Sequence, residues 1–235
     1  MQFNRNENLK IVGFFGQSGA GKTTIIRNVD KKVNGQIVLQ NTGIIRYLFK
    51  KNNNYKNPVD IISKKDSIPP EKINELVYEK YIRSQMQLLN DWSTEMFLST
   101  LEHYLTPSIL LLDRSPVDFY VITLGGLKVL TKEFGVELNS DNQHLLEINR
   151  KIAEDNTNNF FDAVFITKPW NNGNINTLCD GVRDQYLAEE YTGENWYSHY
   201  KDVNLIHEVK SFVIGEDVTD LQKRAKFVSA KLTEV

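Results

Sequence analysis

Residues 16–23 read Gly16-Gln17-Ser18-Gly19-Ala20-Gly21-Lys22-Thr23 and fill every fixed position of the pattern G-x-x-x-x-G-K-[ST]. The spacing has a chemical reason. Glycines let the backbone curl until several N–H groups converge on one anion, at the positive end of the helix that follows. The lysine of such a loop, here Lys22, reaches the β- and γ-phosphates of a nucleoside triphosphate, and the hydroxyl of Thr23 is offered to Mg2+. Thr24 continues into the helix. A glycine-rich turn without a ligand is the bland reading, but the apolar run at 11–15 supplies the preceding strand that the motif requires. The expectation is an ATP-binding loop over residues 16–24, loaded with Mg2+.

A second acidic group is expected at the end of a neighbouring strand, because ligands of open α/β sheets collect at the carboxyl ends of the strands. The segment LLLDRSPVD supplies Asp113 there. Such a carboxylate either holds the metal together with Thr23 and polarises water, as in a hydrolytic motor, or accepts the proton of an acceptor hydroxyl, as in a kinase. Arg114 adds charge for a second anion. The plainer alternative is a strand-end Asp leading through Ser115 into a helix, and both roles are compatible.

These residues need a scaffold. Five short apolar runs read as strands: 11–15, 36–40, 108–112, 163–167 and 212–214. Their continuous rather than alternating apolar character suits a parallel sheet covered by helices on both faces. Helical periodicity begins near Pro69 and Pro70, with apolar residues at 73, 76, 77, 81 and 82, and recurs over 116–134, 141–156 and 218–232. In the last of these, Leu221, Ala225 and Val228 face inward. Residues 51–68 carry Asn, Lys and Pro without periodicity and read as a loop. The β-α alternation and the 235-residue length predict a single domain over 1–235.

Bulk properties narrow the class further. A formal net charge of −2 excludes a global electrostatic pull towards nucleic acid or anionic membrane. Cys179 is the one cysteine, which leaves no intrachain disulfide and fits a reducing, cytoplasmic setting. The polar N-terminus and the lack of a long apolar run predict neither a signal peptide nor a membrane span. The four histidines fall in no metal-binding spacing.

The segment DRSPVDFY resembles the Asp/Glu-Arg-Ser segment of thymidylate, deoxynucleoside and nucleoside-monophosphate kinases. It more closely resembles the Asp-Arg-x-x-x-Asp segment of AAA-type small kinases related to the nicotinamide-riboside kinase domain. FDAVFITKP at 161–169 is similar to the fourth strand of that group, and Asp180-Gly181-Val182-Arg183 to the Asp-Gly-x-Arg of its lid. The resemblance implies a three-layer α/β fold, the P-loop kinase fold, with a five-stranded parallel sheet of order 2-3-1-4-5 and a lid near 170–200. It implies transfer of the γ-phosphoryl of ATP to a nucleoside, nucleotide or related small acceptor, with Lys22, Asp113, Arg114 and Arg183 in catalysis. Arg46 occupies the place where related kinases put a substrate-binding arginine.

Residue chemistry adds to this picture independently. A glycine-containing polar excursion carrying Arg183 can close over a triphosphate and exclude water; beside Asp180 and Asp184 the same arginine also fits a surface ion pair. Related lids bear two or more arginines, whereas here Lys201 is the next cation. On the helix after Pro70, Tyr78, Arg83 and Gln87 offer an aromatic platform, an anion clamp and a base-edge amide, with a solvated face as the alternative. Two other outputs stay open. Some viral members of the kinase group phosphorylate hydroxymethylated pyrimidines in DNA, and the Lys- and Asn-rich stretch 50–66 has room for a polymer. A P-loop ATPase or switch would instead act through a protein partner. The Asp-x-x-Gly and Asn-Lys-x-Asp signatures of a GTPase are missing. A homodimer is compatible with the sequence but not specified by it.

Overall fold

The computed structural model describes residues 8–16, 20–52, 55–102, 107–168, 209–215, 218 and 220–235. Its centre is a six-stranded sheet: β1 (Leu9–Phe15), β2 (Lys32–Val33), β3 (Gln36–Asn41), β4 (Ser108–Leu112), β5 (Ala163–Thr167) and β6 (Lys210–Ile214), in the order β2-β3-β4-β1-β5-β6. The five longer strands are parallel in the expected 2-3-1-4-5 arrangement. The expected count of five is corrected by β2, which adds an antiparallel edge to β3. Its cause is local: Asn34 and Gly35 both have positive φ, 48° and 80°, the geometry of a tight hairpin turn whose twist matches its strands.

The central strands β4, β1 and β5 are buried on both faces, and side-chain alternation divides the core in two. On β4, Ile109 and Leu111 join one cluster, with Phe14, Phe165, Phe212 and the inward residues of α1 (Lys22–Asn28) and α7 (Leu221–Leu232). Leu110 and Leu112 join the other, under α2 (Ile44–Lys51), α4 (Lys80–Glu102), α5 (Pro116–Phe134) and α6 (Ser140–Phe160). Rings give each layer its centre. Phe165 stacks between Phe14 and Phe212, with both pairs of centroids 5.1 Å apart. Trp92 packs between Phe119 at 5.5 Å and Phe161 at 6.5 Å.

The loop expected over 51–68 is in part helical. Asn57 accepts the Val59 N–H at 3.1 Å and Pro58 sits in the first turn, so α3 (Pro58–Ile62) starts with a capped N-terminus. The helix expected from Pro70 begins as a short 3-10 turn, Pro70–Lys72, passes through a π segment, Asn74–Glu79, and continues as α4. No described helix is long and apolar enough to cross a membrane.

One packing contact tests the α4–α5 seam. A Cβ placed on Gly126 of α5 would run into the Tyr81 hydroxyl and ring, with ring carbons at 2.5 and 2.9 Å. Glycine to alanine inside an exposed helix gains about 1 kcal/mol. Here the sign reverses, and Gly126→Ala is expected to lose about 1–3 kcal/mol in urea denaturation because the buried Tyr81 cannot retreat.

Candidate functional site

The carboxyl ends of β1, β4 and β5 meet at Gly16. Its φ of 136° lies in the region open to glycine, and a Cβ there would fall onto the Thr167 carbonyl at the end of β5. Five residues on, Gly21 holds the N-cap of α1 with φ 80° and, being glycine, brings no side chain to cap it. This loop position follows from parallel pairing: β1 lies between β4 and β5, so its exit faces theirs.

Both polar groups of Gly16 are gripped by side chains. The Lys22 ammonium donates to the Gly16 carbonyl, and Arg114 Nη1 donates to the same oxygen at 3.4 Å. Asp118 Oδ1 accepts the Gly16 N–H at 3.2 Å, while Oδ2 accepts the Ser115 N–H at 3.2 Å. Arg114 and Asp118 approach to 3.6 Å. Next to this knot, the Thr23 hydroxyl donates to Asp113 Oδ2 at 3.3 Å.

Lys22 is buried, and loss of water is the largest influence on it: its pKa falls from 10.5 to about 7. The nearby Arg114 lowers it further, while Asp118 and Asp113 pull it back up. Between pH 7 and 10.5 the unfolded chain therefore binds more protons at this site than the native protein. Ligand-free stability is expected to rise with pH across that window. Below pH 7 the burial cost is felt in full. Urea denaturation of the wild type and Lys22→Met at pH 7 and 9 checks this, the variant showing a flatter pH dependence.

The residues singled out from the sequence divide into three groups. Gly16, Ala20, Gly21, Lys22 and Thr23 assemble with Asp113 and Arg114; Thr24 is exposed one residue further along α1. Gln17, Ser18, Gly19, Arg183, Lys201 and the lid segment 170–200 lie outside the described residues, as does the Arg46 side chain, although its backbone occupies the third position of α2. The three residues expected at the acceptor on the helix after Pro70 separate by burial, Tyr78 turning inward and Arg83 and Gln87 outward. Tyr78 is a core residue whose hydroxyl donates to the Val136 carbonyl at 2.6 Å, with its pKa raised to about 12 mainly by burial. Arg83 and Gln87 are exposed, and Arg83 is held by Glu79 at 2.8 Å. Helix phase is the reason: Tyr81, Ile82, Gln85, Leu88 and Leu89 define the inward face of α4 and leave 83 and 87 outside it.

Two residues of the site lacked a role in the sequence reading. Asp118 sits three residues after Ser115, the spacing of a helix-start carboxylate reaching back to the N-cap N–H. Arg224 shares the inward stripe of Leu221, Ala225 and Val228, and it is fully buried.

Metal fit rests on donor chemistry. Thr23 and Asp113 converge as two hard oxygen ligands, which suits Mg2+, an ion that fills its remaining positions with water and phosphate oxygens. Among the described residues no cluster of three or more His, Cys, Asp or Glu could hold a metal by itself.

No family model matches the chain, and no curated protein matches it. Among solved structures it is similar to the deoxyadenosine kinase from M. mycoides, determined with dCMP and a flexible dCDP bound. The identity is 16%, the TM-score 0.47, and the match covers 95% of this chain and 98% of that one.

Proposed function

We propose that the chain is a phosphotransferase that moves the γ-phosphoryl group of ATP to a small nucleoside or nucleotide. The observation that carries this reading is the joining of a complete phosphate-loop motif, on the β1–α1 turn, to a strand-end carboxylate through the Thr23–Asp113 hydrogen bond. On this reading the loop N–H groups and Lys22 bind the triphosphate, and Arg114 balances charge on the transferred group. Thr23 and Asp113 would hold Mg2+, which when bound would neutralise phosphate charge. Asp113 also stands where an acceptor hydroxyl could leave its proton. The acceptor would lie at the carboxyl ends of β3 and β4, near the start of α2 that carries Arg46, and Arg183 would neutralise charge that develops during transfer.

Incubation with γ-labelled ATP and Mg2+ tests the reading, using a panel of nucleosides, nucleoside monophosphates, and normal or hydroxymethylated DNA. Label is expected on a nucleoside or monophosphate. Label on hydroxymethylated DNA alone would move the acceptor to a polymer. Label recovered only as free phosphate would overturn phosphoryl transfer in favour of an ATPase.

A further inference from the structure

We propose that Arg224 is a positioning residue for the phosphate-binding loop, tying that loop to the chain segments that leave β5 and β6. The inference rests on the nucleotide-binding reading of the loop. Arg224 lies in the first turn of α7, fully buried, and its described acceptors are four backbone carbonyls from three loops. Nη1 donates to Ala20 of the phosphate loop at 3.4 Å and to Lys168, just past β5, at 3.0 Å. Nη2 donates to Gly215, just past β6, at 3.0 Å, and Nε donates to Val218.

Guanidinium chemistry explains why this residue type stands there. Its donors are fixed in one plane and diverge, so one rigid group serves carbonyls arriving from different directions, whereas an ammonium is a point charge on a flexible stem. The contact with Ala20 matters most for binding. Fixing the Ala20 carbonyl orients the peptide that carries the Gly21 N–H, at the left-handed Gly21 from which α1 starts. The same side chain places a permanent positive charge beside a loop built to receive phosphates. Because the other donors hold Lys168 and Gly215, an anion that settles the phosphate loop also settles the roots of both adjoining segments. Arg224 thereby acts on nucleotide affinity through the loop backbone rather than through the acceptor.

The test measures ATP affinity with Mg2+ by calorimetry on the full chain for wild type, Arg224→Lys, Arg224→Met and a control, Val228→Ala. Val228 is a buried neighbour on the same helix that makes no loop contact of this kind. Arg224→Lys is expected to weaken ATP binding about tenfold, the scale of one lost hydrogen bond to a charged group, and Arg224→Met more. In kinetics the KM for ATP should rise while the KM for the acceptor stays within twofold. Val228→Ala should melt at lower temperature yet bind ATP within twofold of wild type, which separates positioning from mere stability. If Arg224→Met fails to fold, Arg224→Lys and the control decide. ATP affinity unchanged in a folded Arg224→Lys, or lost equally in Val228→Ala, would overturn the inference alone. No ATP binding by the wild type would overturn the nucleotide reading and this inference with it.

Discussion

Lys22→Ala is expected to lower phosphoryl transfer by about a thousandfold, close to 4 kcal/mol of transition-state stabilisation, while the fold survives. The argument runs from burial. The Lys22 ammonium is enclosed, and without a bound anion it rests on the Gly16 carbonyl. A triphosphate in the loop offers a stronger partner than a neutral carbonyl, so the ammonium would transfer to it at little cost in reorganisation. Electrostatic interactions gain weight as solvent is excluded, so deleting a charge from an enclosed site costs more than deleting one at the surface. Alanine leaves the Gly16 carbonyl still bound by Arg114, so the loop keeps an anchor. Lys22→Arg should not rescue, since a planar guanidinium is larger than the ammonium and matches different geometry. Single-turnover transfer from γ-labelled ATP measures the effect. A variant keeping more than about a tenth of wild-type transfer would remove Lys22 from the chemistry.

The parts of the fold readable in the sequence are those where one pattern dominates. Strands β4 and β5 begin and end where the apolar runs do, because strands buried on both faces have no solvent side to blur the pattern. The hairpin strand β2 is two residues long, too short for any periodicity, and only the Asn34-Gly35 turn announces it. Helix α3 was hidden for a related reason: five residues give little more than one turn of period, so only Asn57 and Pro58 mark it. On α4 the inward stripe was legible, but which polar residues it would carry was not. Arg83 and Gln87 share a face with each other, and that face turned out to be the solvated one.

The donor half of the candidate site was legible because its chemistry is local in sequence. Eight consecutive residues carry the loop, and backbone N–H groups need no distant partner. What holds the loop was less visible. Asp118 comes from the other side of β4, 102 residues from Gly16, and Arg224 lies 204 residues from Ala20. Nothing in the local pattern at either end names its partner; only the sheet order, which sets β1 between β4 and β5, brings them together.

Asp113 and Asp118 are five residues apart, and their substitutions are expected to fail in opposite ways. Asp118 has no exposure and serves two backbone N–H groups, from Gly16 and Ser115, with Arg114 alongside. Asp118→Ala strands both donors and leaves a mostly buried arginine short of its counter-charge, a loss of about 3–5 kcal/mol. Asp118→Asn is not a mild version of this change. One amide oxygen can still accept from one N–H, but the NH2 group then confronts a donor where an acceptor stood, so a loss of about 2 kcal/mol remains. Asp113 is partly exposed and its described hydrogen bond is the single one from Thr23. Asp113→Asn should therefore cost less than about 1 kcal/mol of stability. Its effect falls on transfer, because an amide neither neutralises Mg2+ nor takes a proton, and a decrease of about a hundredfold or more in kcat is expected. Urea denaturation and single-turnover transfer on both variants separate the two. If Asp113→Asn proved the less stable protein, or Asp118→Asn proved stable, the division of labour between the carboxylate that holds the loop and the one that faces the ligand would be wrong.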